Sequence, residues 1–92
     1  MLVLRYLGPS FDGAMAFSLR EVDRHGFPTH LISLWADEIE VSGTPTNLVV
    51  TLFMKGVVIS TVIVNLIEGI GPDGKRVRFK IGTPSEVSHA GA

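Results

Sequence analysis

The 92-residue sequence predicts a mostly β fold: a small six-stranded antiparallel barrel or sandwich in a single domain, residues 1–92, with room for one short helix around residues 14–25. Three observations carry that prediction. Glycine and proline recur at short intervals, at Pro9, Gly13, Gly26 with Pro28, Gly43 with Pro45, Gly56, the run from Gly69 to Gly74, and Gly82 with Pro84. They cut the chain into strand-length pieces rather than alternating strands and helices. Leu48 to Met54 and Val57 to Ile67 are apolar at nearly every position, rich in β-branched residues, and separated only by Lys55-Gly56, a pair able to turn a hairpin. Arg76 to Ile81 alternates with strict period two, as a half-buried strand does.

In chain order the expected strands are Leu2 to Leu7, Ala14 to Val22, His30 to Ser42, Leu48 to Met54, Val57 to Glu68 and Arg76 to Ile81. The second is ambiguous. Met15, Phe17 and Leu19 alternate with Ala16, Ser18 and Arg20 as on a strand, which favours that reading, yet Met15, Leu19 and Val22 also share a helical face. Arg24-His25-Gly26-Phe27-Pro28 then has the form of a helix ending: cations, a glycine for a left-handed residue, an apolar residue and a proline. A helix there would pack on one face of the sheet. The last strand places Val77, Phe79 and Ile81 inward and Arg76, Arg78 and Lys80 outward, after the turn sequence Pro72-Asp73-Gly74-Lys75.

Val57 to Glu68 sets the main constraint on function. One face carries Val57, Ile59, Thr61, Ile63, Asn65 and Ile67, and the other Val58, Ser60, Val62, Val64, Leu66 and Glu68. Both faces call for burial, whereas one face of a small antiparallel sheet normally meets water. The second face is therefore expected to meet another layer, a barrel interior or another subunit, and Val58, Val62, Val64 and Leu66 are the expected oligomer interface. Composition points the same way: 46% of the residues are apolar, while a chain of this length buries only about 60–65% of its unfolded surface. A homodimer or higher oligomer is the expected state.

Leu48 to Ile70 is long enough to span a bilayer as a helix, but Lys55-Gly56 near its middle, Asn65 and Glu68 argue against that. The apolar run at Met1 to Leu4 is too short for a signal peptide. A cytoplasmic protein with no membrane association is expected. The absence of cysteine excludes disulfides and thiolate metal sites, and a formal net charge of −1 argues against a general polyanion binder.

Catalytic and cofactor signals are sparse, and a non-enzymatic protein without cofactor or metal is expected. His25, His30 and His89 lack metal-ligand spacing. Asp12, His25 or His30, and Ser33 offer only the triple that any chain of this length contains, with no strained nucleophile turn. Asp37, Glu38 and Glu40 resemble a wet strand face more than a catalytic pair. Gly69-Ile-Gly71-Pro-Asp-Gly74 has dinucleotide-fingerprint spacing, but a strand follows it instead of the helix whose N-terminus would hold a pyrophosphate. Lys75, Arg76, Arg78 and Lys80, half of the eight basic residues, form one stripe. The stripe is either a docking surface for a phosphate-bearing ligand, an acidic protein or RNA, or a solvated edge paired with Asp37, Glu38 and Glu40. Trp35, beside that acidic cluster, is a binding anchor or a core or interface aromatic.

Leu31-Ile-Ser33-Leu-Trp35, the hairpin of Leu48 to Leu52 with Val57 to Val64, and Val77-Arg78-Phe79 follow one another in an order that resembles the PilZ domain, a six-stranded barrel family that binds cyclic di-GMP. The resemblance covers roughly two thirds of the chain. Leu31 stands where that family has Asp or Asn, and Ala36 where it has Gly. No R-x-x-x-R precedes the first barrel strand, since the one at Arg20 to Arg24 lies too close to Ser33. The resemblance thus implies a PilZ-like regulator whose cyclic di-GMP binding is altered or lost. Met1 to Leu4, with Val77-Arg78 through Pro84-Ser-Glu86-Val87, is similar to the two ends of the carbon storage regulator family of RNA-binding dimers. The basic residue that family places after this turn is missing from Ser88 to Ala92.

Overall fold

A computed structural model describes residues 1–71 and 74–80. The turn at Pro72-Asp73, the end of the last strand at Ile81, the segment Pro84 to Val87 and His89 lie outside the described residues.

The expected segments all fold as strands, and two of them are divided by a single residue. The elements are β1 (Leu2–Pro9), β2 (Met15–Val22), β3 (Pro28–Ala36), β4 (Glu38–Thr44), β5 (Asn47–Met54), β6 (Val57–Val64), β7 (Leu66–Glu68) and β8 (Val77–Phe79). Asp37 splits His30 to Ser42 between β3 and β4, and Asn65 splits Val57 to Glu68 between β6 and β7. The count among the described residues is therefore eight strands rather than six. No helix is present among them, so residues 14–25 form β2 and a turn.

The apparent helix ending at Arg24 to Pro28 is a hairpin turn. Asp23 Oδ1 accepts the backbone N–H groups of His25 (2.8 Å) and Phe27 (3.0 Å), and Gly26 takes the positive φ that closes the turn. Local chemistry that would also stop a helix here reverses a strand.

The strands form two four-stranded sheets with the same internal plan, in the orders β3-β2-β1-β7 and β6-β5-β4-β8. Each is a three-stranded antiparallel meander whose first strand is flanked by a short parallel strand. Alternation aims one row of each sheet at a shared core. Leu4, Tyr6, Met15, Phe17 and Ala36 come from the first sheet, and Ile39, Val41, Leu48, Val50, Leu52 and Val64 from the second. The Tyr6 and Phe17 rings meet with centroids 5.4 Å apart.

Asp37 and Asn65 are single-residue bends at which the chain passes from one sheet to the other, and it crosses a third time between β7 and β8. Asp37 N–H donates to Phe53 O (3.0 Å) and its Oδ2 accepts Lys55 N–H (2.8 Å). Asn65 exchanges bonds with Leu2, its N–H donating to Leu2 O and its Oδ1 accepting Leu2 N–H, both 2.9 Å, while Nδ2 donates to Thr46 O (3.1 Å). A bend removes ladder partners, and here the backbone N–H and the short polar side chain of each residue restore them.

Candidate interaction surface

The outer face of the second sheet divides into a charged half and an apolar half. Register places Glu38, Glu40 and Ser42 of β4 beside Phe53, Thr51 and Val49 of β5, and these beside Val58, Thr61 and Ile63 of β6. On the β8 side Arg78 pairs with Glu38, and Lys80 Nζ lies 3.6 Å from Glu40 Oε2. Neither β5 nor β6 carries an ionisable side chain, and Lys55 sits in the turn between them. Val57, Val58, Ile59 and Ile63 are all at least half exposed, with Val58 at 53% and Ile63 at 59%. No part of the described chain lies over them.

The expected interface residues do not share a face, because the strand carrying them is neither unbroken nor regular. The register slips between Leu52 and Phe53, so that Ser60 faces Leu52 but Val58 faces Phe53, and the extra residue in β6 turns Val58 outward. Val62 stands opposite Val50 and packs half-buried against the core, and Val64, 1% exposed, belongs to the core itself. Leu66 lies beyond the Asn65 bend in the first sheet, beside Val3. The two-sided apolar character is present, but its exposed residues are Val58 and Ile63 on the outer face, Val57 opposite Met54 at the hairpin end, and Ile59 in the bulge.

Edge protection is uneven. In the second sheet β8 is three residues long and flanked by cations, whereas β6 is eight residues long, uncharged, free of proline and, among the described residues, paired on one side only, with β5. In the first sheet β7 is three residues long, and β3 is a long edge that exposes Leu31, Ile32 and Trp35. Short or charged edges resist pairing with another chain; β6 has neither device.

The basic stripe is largely engaged within the chain. Besides the Arg78 and Lys80 pairs, an Arg76 guanidinium nitrogen donates to the Gly13 carbonyl, and Lys75 is exposed at the turn before β8. Val77 packs against the core, but Phe79, expected inward, is more than half exposed at the sheet edge. Trp35 sits opposite Ala16 on the outer face of the first sheet, 52% exposed, so it is not a core residue.

On that face Arg20 reaches from β2 to Glu68 on β7 (3.2 Å). The ion pair passes over β1, where the intervening Val3 is only 2% exposed although it points away from the core. The aliphatic part of an arginine can cover apolar surface in this way.

The catalytic triple is dispersed. Asp12 lies in the β1–β2 turn and His25 in the β2–β3 turn, at opposite ends of β2, whose eight residues span about 27 Å. The Asp12 carboxylate accepts the Ser10 hydroxyl and the Ala14 N–H, bonds that hold its pKa below the ordinary 3.8 and stiffen the turn. Among the described residues no group of three His, Asp or Glu side chains is placed to hold a metal ion, and no helix is long and apolar enough to cross a membrane.

Comparison with protein-family models, with curated proteins and with solved structures gives no match to this chain.

Proposed function

We propose that this chain is a non-enzymatic interaction module that assembles with copies of itself through the apolar side of its second sheet. The observation that carries this reading is β6, a long, uncharged strand with an open edge and an exposed aliphatic surface, in a sheet whose opposite edge is short and charged. The two sheets, cornered at Asp37 and Asn65 around one core, also support a barrel or sandwich architecture of the kind the PilZ resemblance implies. A phosphate or RNA site on the basic stripe has less support, since Glu38 and Glu40 already neutralise Arg78 and Lys80.

Light scattering on two single variants tests the reading. Ile63→Lys places a charge on the exposed aliphatic surface and should reduce the assembly to monomers without lowering the stability of the monomer. Arg78→Glu should leave the assembly mass unchanged. Dissociation by Arg78→Glu with an unaffected Ile63→Lys would move the interface to the stripe.

A further inference from the structure

We infer that the occupant of the β6 edge is the β6 strand of a second copy, paired antiparallel about a two-fold axis at Thr61, so that the two second sheets join into one. The inference rests on the self-association proposed above and specifies its geometry. A two-fold contact sets each residue against the same surface of its partner, so a charged edge would face its own charge. Neither β6 nor its neighbour β5 carries an ionisable side chain, whereas β4 and β8 carry Glu38, Glu40 and Arg78, with Lys80 just past β8. Of the four strands of this sheet, the uncharged pair is the one that suits a like partner.

The register follows from the strand. Residues opposite each other across an antiparallel pair lie on the same face, so a two-fold must pass through a residue rather than between two. An axis at Thr61 sets Val62 against the partner's Ser60 within the regular part of β6, and Ile63 against the partner's Ile59, the extra residue of the slip. Thr61 then meets its own copy and Ile63 meets Ile59, two kinds of β-branched cross-strand pair.

Because the chain contains no cysteine, one introduced cysteine can cross-link only two copies. Across the axis the Thr61 Cα atoms would stand about 4.5–5.5 Å apart, inside the range a disulfide spans. Under a mild oxidant Thr61→Cys should form covalent dimer at least about tenfold faster than Ser33→Cys on the open edge β3, and the outward amides of β6 should gain hydrogen-exchange protection with concentration in the cysteine-free protein. If the protein is dimeric but Thr61→Cys cross-links no faster than Ser33→Cys and β6 gains no protection, the strand pairing is overturned while self-association stands. A protein monomeric at every concentration overturns both.

Discussion

Asn65 shows how much can rest on one side chain at a bend. Its amide joins the start of β1 to the β4–β5 turn by bonding Leu2 and Thr46. Asn65→Ala removes both side-chain bonds and should lower stability by about 1–2 kcal/mol in urea unfolding, with little change in the denaturant slope. Lys55 invites the opposite change. It and Gly56 both have positive φ, 53° and 81°, the backbone of the mirror-image hairpin turn that favours Asn-Gly. Lys55→Asn should therefore raise stability by about 0.5–1 kcal/mol, read from the same titration, because the side chain changes while the N–H that Asp37 holds remains. Gly69 is less tolerant: with φ +83°, any Cβ would stand 2.6 Å from the Tyr6 carbonyl oxygen.

The strands that were legible in the sequence are those bounded by glycine, proline or a charged turn, and those whose alternation matched one buried face. The bends at Asp37 and Asn65 were not legible, because each lies inside a continuous apolar or alternating run and interrupts the ladder for one residue only. The slip opposite Phe53 was equally hidden, and it moved Val58 to the face away from Val62 and Val64. That is why an apolar surface on Val57 to Glu68 could be read, while the residues composing it could not. The same strand supplies a sharp contrast. Val62→Asp should cost at least about 2 kcal/mol in the stability of the chain itself, since its side chain packs against the core. Thermal unfolding of dilute protein checks this, and an unchanged melting temperature would place Val62 in water. On the charged half, Arg78→Glu should cost under about 1 kcal/mol, fading with added salt, because the Arg78 side chain is 69% exposed.

For the whole molecule, one core joins two sheets of the same plan, and the second sheet keeps its charge on one side and its uncovered aliphatic surface on the other. An assembly built on the aliphatic side should persist or tighten in high salt, unlike contacts made by the basic stripe. Sedimentation equilibrium of the unmodified protein across a wide concentration range, at low and high salt, tests the central claim most directly. The account predicts a mass at least twice the 9.9 kDa of the chain, undiminished by salt. A mass of 9.9 kDa throughout that range would contradict it.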